Sequence, residues 1–236
     1  MAWEKSANIR RALTLKGAQA GIPVSGTFEL TPRCNLACRM CYIRLTPEQM
    51  APIGRERSAK EWLDIAQQAK DAGMTFLLLT GGEPTLRSDL VELVEHASWF
   101  VTRLNTNGIL LTEKLCSELY EASLDSVQIT LYSKEEHIHN LLVGTSTFNK
   151  TIQGIKNAIS AGLNVSINTP LCSLNKDYLS LVKYLHEELG VNYFTCSGII
   201  ITGNATNDDS VHTQLTEDEL IFDLIKMDSL KREKKK

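Results

Sequence analysis

Three of the six cysteines, Cys34, Cys38 and Cys41, fall within eight residues at the spacing C-x3-C-x2-C. Iron–sulfur clusters are held by cysteine thiolates, so three thiolates on one short loop can hold three irons of a cubane [4Fe–4S] cluster. No fourth cysteine lies in the loop, which would leave one iron open to an outside ligand. Zinc is the competitor, because structural zinc sites also begin with closely spaced cysteines. A closed zinc site needs a fourth protein ligand nearby, and here Cys116, Cys172 and Cys196 stand singly while His137 and His139 lie far along the chain. Three thiols packed together by chance is the blandest account, and free cysteine is commonly buried but rarely clustered.

Five other places carry residues suited to binding. Gly81-Gly82-Glu83-Pro84 pairs glycines, which let backbone approach a ligand closely; an ordinary strand–helix turn has the same look. Asn105-Thr106-Asn107-Gly108 ends in Asn-Gly, also a routine turn signal. Gln128 and Thr130 share one face of a strand by its two-residue alternation. Asn168-Thr169-Pro170 and Thr202-Gly203-Asn204 each close a later strand.

The elements that must position these residues alternate. Residues up to about Gly21 read as a short amphipathic helix with Ile9, Leu13 and Leu15, expected to pack on the rim of the fold. A strand leads into Cys34, and an irregular run from Ile43 to Arg57 follows, with Pro47, Pro52 and Gly54. Ser58-x-x-Glu61 has the capping-box form and opens a helix to Ala72-Gly73. Strands are expected at 75–80, 100–105, 126–132, 164–169 and 193–201. Helices are expected after Ser88, at about 112–121, 148–161 and 176–189, and from about Glu217. Cys116 falls in a helix as a packed thiol, and His96 and His186 read as helix-surface histidines. Cys172 and Cys196 lie near strand ends, and the closing KREKKK run reads as a solvated helix end. Six strand–helix units with no hairpin signal mean an α/β protein with a parallel sheet and right-handed crossovers. Six units fall short of a closed eight-stranded barrel.

The bulk numbers bound the function. The chain has 236 residues, 43% hydrophobic and 22% charged, with a net charge of −3. That suits one large domain, with residues 1–23 as a helical lead-in and 24–236 as the core. It argues against a general nucleic-acid binder, and no apolar run is long enough for a bilayer. The first residues lack a signal-peptide pattern, so a cytoplasmic, reducing setting is expected, in keeping with clustered thiols.

The cysteine loop after a first strand, with Gly81-Gly82-Glu83-Pro84 after the second, resembles the radical S-adenosylmethionine (radical SAM) superfamily over roughly residues 24 to 205. The resemblance implies a partial (β/α)6 open parallel barrel, the [4Fe–4S] cluster on Cys34, Cys38 and Cys41, and S-adenosylmethionine on the open iron. Cluster reduction would then cleave the sulfonium to a 5′-deoxyadenosyl radical that abstracts hydrogen, so no catalytic acid or base is named. Gly81, Gly82, Glu83 and Pro84 would meet the cofactor's amino group. Asn105 and Asn107 bracket a T-N-G frequent in peptide-modifying members. Thr130, with Gln128 beside it, would touch the cofactor; Asn168 and Gly203 would lie against its ribose and adenine, and Met40 on the adenine with Tyr42 adjoining. His139 to Gly144 is similar to an H-D-x-x-R-G segment, but Asn140 replaces the acid and Val143 the arginine, which would have paired with a carboxylate. The pattern is most like peptide and protein maturases of the SPASM/twitch subgroup, of the anaerobic sulfatase-maturase kind. A peptide or protein substrate and an external flavodoxin- or ferredoxin-type electron donor are implied. The cysteine-rich extension of that subgroup is absent from these residues, which suits either a truncated core or a shorter lineage. A non-catalytic core that binds cluster or partner without turnover is the alternative.

Overall fold

A computed structural model describes residues 2–200, 202–206 and 215–216. Its six strands are β1 (Ser25–Glu29), β2 (Phe76–Thr80), β3 (Val101–Thr106), β4 (Ser126–Thr130), β5 (Val165–Pro170) and β6 (Tyr193–Ser197). They pair in sequence order, every neighbouring pair parallel. β1 and β6 stand at opposite ends of that order, so the sheet is the open (β/α)6 arrangement expected.

Alternation decides what each face holds. Leu77 and Leu79, Leu104, Val127 and Ile129, and Ile167 are buried in one continuous core. The helices over that face contribute Trp62 and Ala66 from α3 (Ala59–Asp71), Leu90, Leu93 and Val94 from α4 (Leu90–His96), and Cys116 and Leu119 from α5 (Glu113–Glu121). Ile152, Ile155 and Ala158 come from α7 (Phe148–Ser160), and Leu181 and Leu185 from α8 (Tyr178–Glu187). Each such leucine or isoleucine removed from water is worth roughly 1.5–3 kcal/mol, and the sum outweighs any surface ion pair in the molecule. The alternate positions, Arg103, Asn105, Gln128, Thr130, Asn168 and Thr195, line the inner face and are mostly polar.

Several expectations are corrected. The run 43–57 is not wholly irregular: Thr46 and Gln49 form a capping box that starts α2 (Pro47–Met50), followed by a 3-10 turn, Ala51–Ile53. A helix not anticipated, α6 (Glu136–Val143), precedes α7, and its eight residues are too few to show a helical period. The sixth strand stops at Ser197 rather than Ile201, because β5 ends at Pro170 and offers no further ladder. The first helix is present as α1 (Ala2–Ala20), but Ile9, Leu13 and Leu15 are exposed. Among its described side chains only Gly17 is buried, near Val24, so rim packing is confined to that end. The helix expected from Glu217 and the KREKKK run lie outside the described residues.

Candidate metal and cofactor site

The cysteine loop leaves β1 and is tied down by backbone from two directions. Gly82 N–H donates to Thr31 O and Glu83 N–H to Arg33 O, each at 2.7 Å. A Cβ on Gly82 would lie 2.2 Å from Arg33 O, and one on Gly81 2.4 Å from Thr31 O. The paired glycines therefore serve first to let the lead-in of the cysteine loop lie against the β2 exit. Those two amides are taken by the loop's own backbone. From the other side, Ala37 N–H donates to Val143 O and Arg39 N–H to Leu142 O, both at 3.1 Å. These acceptors are end carbonyls of α6, which helical bonding leaves unmet. Gly144 caps that helix in the left-handed region at φ 75° and sits against Ala37.

Glu83 is 0% exposed. Its Oε1 accepts from Thr85 N (3.0 Å), Thr85 Oγ1 (2.6 Å) and Thr106 Oγ1 (2.7 Å), and its Oε2 from Asn107 N (2.7 Å). Burial raises its pKa, and these donors oppose the rise. The side chain is thus a staple between the β2 and β3 exits, with Pro84 opening the buried turn beside it. Asn107 passes the restraint on: its Nδ2 donates to Asn35 Oδ1 at 2.7 Å, inside the cysteine loop. Asn35, Thr106 and the α6 carbonyls were missed in the sequence. Thr106 stood in a motif already noted, while a backbone carbonyl has no residue-type signal.

The loop rests on a second apolar core made by Leu36, Met40, Tyr132, Leu142, Val143, Cys172 and Ala205, with Cys34 and Cys38 packed against it. Met40, expected on the adenine, is a buried floor residue here. Val143 is buried in the same floor, and Cys172 with it. Tyr42 is about half exposed, and Gly203 lies against its backbone. Cys196 alternates with the inward-facing Thr195 and Ser197.

None of the six cysteines is in a disulfide. Burial raises the pKa of Cys34, with the Leu36 amide on its sulfur opposing at 3.4 Å. Cys38 is pushed up to about 12 by burial and then by Cys41 and Cys34. The three sulfurs are therefore close enough to feel one another's charge. Among the described residues, though, no group of three His, Cys, Asp or Glu side chains converges so as to hold a single metal ion. Three neighbouring thiols are a donor set suited to a cubane, whose thiolate ligands each bind a separate iron. The donor set thus fits an open [4Fe–4S] cluster.

On the inner face, Gln128 Nε2 donates to Thr195 Oγ1 (3.4 Å), and Thr195 Oγ1 to Asn168 Oδ1 (3.0 Å). Asn168 is the register partner of Thr130, and Asn105 that of Gln128. Asn105 Oδ1 is buried without a hydrogen-bond partner, an acceptor suited to a bound donor.

The model of the Radical SAM superfamily matches residues 28–185. A PqqA peptide cyclase of Bradyrhizobium diazoefficiens is 38% identical over 126 residues, 52% of this chain and 32% of that protein. Streptococcus suis SuiB bound to precursor peptide SuiA superposes with a TM-score of 0.68 at 19% identity, covering 97% of this chain and 52% of that one. The anSMEcpe structure with bound AdoMet and Cp18Cys peptide gives 0.69 at 17%, covering 88% and 59%. The chain thus spans about a third of the curated relative and about half of these solved chains.

Proposed function

The chain belongs to the radical SAM superfamily, and on that premise we propose that it is the core of an enzyme that modifies a peptide or protein side chain by hydrogen abstraction. The observation that carries this is the cysteine loop, three thiols clamped between the Gly81-Gly82 turn and the end of α6. Cys34, Cys38 and Cys41 would hold the [4Fe–4S] cluster. When bound, cluster and S-adenosylmethionine supply one-electron cleavage of the sulfonium and a 5′-deoxyadenosyl radical. The chain's own part is to hold and orient. Gly81 and Gly82 would present carbonyl oxygen to the cofactor's amino group, with Glu83 and Pro84 fixing the turn. Asn105, Gln128, Thr130 and Asn168 would offer polar contacts from the inner face. Asn107 would keep the loop in place, and Met40, Tyr42 and Gly203 would form its apolar surround. Peptide modification is supported by the relatives' names, PqqA peptide cyclase and SuiB with its precursor peptide.

A one-electron donor of the flavodoxin or ferredoxin type is part of this proposal, as is a cytoplasmic setting, which clustered free thiols require to stay reduced. No helix among the described residues is long and apolar enough to cross a membrane. We also propose 24–236 as the catalytic core, with 1–23 as its helical lead-in.

Anaerobic reconstitution with iron and sulfide, then dithionite and S-adenosylmethionine, is expected to release 5′-deoxyadenosine, and Cys38→Ala to abolish it. A second reading, a core that binds without turnover, is favoured by one observation. Val143, where the family pattern has an arginine, is buried in the floor and offers nothing to a carboxylate. Cofactor binding without deoxyadenosine would select that reading; neither binding nor cleavage by a fully loaded protein would overturn both.

A further inference from the structure

Beyond β4 the chain keeps its alternation for two more residues. Leu131 turns into the main core, while Tyr132 goes to the other side and is buried in the floor under the cysteine loop. Three contacts hold it there. Its N–H donates to His139 Nδ1 at 3.4 Å, its carbonyl accepts from Asn175 Nδ2 at 2.9 Å, and its ring lies tilted against His139 with centroids 6.1 Å apart. The rest of that floor is leucine, methionine, valine, alanine and one thiol. Phenylalanine would fill the same space, so the hydroxyl is not required for packing, and a buried phenol needs a partner for its O–H.

That partner is the Cys38 sulfur, which the hydroxyl meets as a hydrogen-bond donor. The other two sulfurs have backbone donors: Leu36 N–H on Cys34 Sγ at 3.4 Å and Arg44 N–H on Cys41 Sγ at 3.2 Å. Those two come with any sequence that folds the loop this way. The phenol is specific to residue 132, and one isosteric substitution removes it.

We propose that Tyr132 sets the reduction potential of the cluster site by donating its O–H to Cys38, acting through that ligand without touching substrate or cofactor. Hydrogen bonds to the sulfurs are one lever on the potential of an iron–sulfur cluster, and donors to ionised acceptors are the strong ones. A donor on a thiolate favours the state with more negative charge, here the reduced one. The electron comes from the external one-electron donor proposed above, and the phenol keeps its proton. The inference rests on the cluster reading of Cys34, Cys38 and Cys41, but its readout is a potential and not turnover.

The test is an anaerobic redox titration of the reconstituted protein without S-adenosylmethionine, followed by the electron paramagnetic resonance signal of the reduced cluster. Tyr132→Phe should take up as much iron and sulfide as the unsubstituted chain and yet be harder to reduce. At a fixed poise its ratio of reduced to oxidised cluster should fall about tenfold, which is about 59 mV for a one-electron couple. Ile138→Val trims a side chain packed on the same floor without removing a donor, and should leave the potential in place. Where Tyr132→Phe does not load, a Tyr42→Phe chain grown with 3-fluorotyrosine gives a second reading. Ring fluorination makes the phenol a stronger donor, and Tyr42, which also feels the Cys41 charge, is removed as a source of the effect; the potential should rise. An unchanged potential in loaded Tyr132→Phe, an equal shift in Ile138→Val, or no response to fluorotyrosine would overturn the proposal. An unsubstituted chain that takes up no cluster loses the cluster reading and this inference together. One that loads, with a potential indifferent to the phenol, loses the inference alone.

Discussion

A carboxylate with no exposed surface must find its partners inside the protein, and Glu83 finds four donors from Thr85, Thr106 and Asn107. Glu83→Gln replaces one accepting oxygen with an amide that also donates, so at least one donor is left facing another. Urea unfolding should show a loss on the order of 2–4 kcal/mol, the range for stranding a buried polar group. Asn107→Ala removes the clasp to Asn35 and the Oδ1 acceptor of the Ile109 N–H, and should cost about 1–2 kcal/mol. Its clearer effect should be lower iron and sulfide content after reconstitution. His139 gives the pH prediction. It is 1% exposed and burial lowers its pKa to about 4, below the unfolded value near 6.5. Its contribution is therefore fully present above about pH 6.5 and is lost as pH falls toward 4, by at most about 3 kcal/mol. His139→Gln should flatten the stability profile across that window; an unchanged slope would show that the imidazole is not buried neutral. Sequence alone singled out Glu83, but as a cofactor contact, because a motif gives residue type and not which way an oxygen is already engaged.

At the level of elements, two turns and one helix end shape the cysteine loop. Gly82→Ala sets a methyl against Arg33 O, a backbone atom that cannot swing aside. The variant should either misfold or push the loop away from the β2 exit, read as lost iron retention in protein that keeps its circular dichroism. Asn140 shows why a departure from a family pattern need not matter. Its Oδ1 accepts from Thr147 N (2.9 Å) and Phe148 N (3.0 Å), capping the start of α7 from the preceding helix. Asn140→Ala should destabilise by about 1–2 kcal/mol, as lost caps do, and Asn140→Asp should hold or gain a few tenths, since a carboxylate suits that helix end. Thermal unfolding of the pair separates capping from any part in cofactor contact. The Ser58–Glu61 box was legible because both residues lie in one short stretch. The cap from Asn140 was not, because its partners lie seven and eight residues on and α6 is too short to announce itself.

For the whole molecule, alternating apolar strands and amphipathic helices were enough to give the parallel order, since right-handed crossovers leave few other ways to bury both surfaces. What sequence could not give was the traffic between strand ends, where Asn35, Asn107 and Glu83 meet across separations of 24 and 72 residues. One feature bears on how the protein matures. The bed of Leu36, Met40, Leu142, Val143 and Tyr132 beneath the thiols is built entirely from side chains. Assembly of the inorganic core would then resemble setting a stone into a finished mount, not casting the mount around it. Far-UV spectra before and after loading should superimpose, and the empty protein should resist proteases at this loop as well as the filled one does.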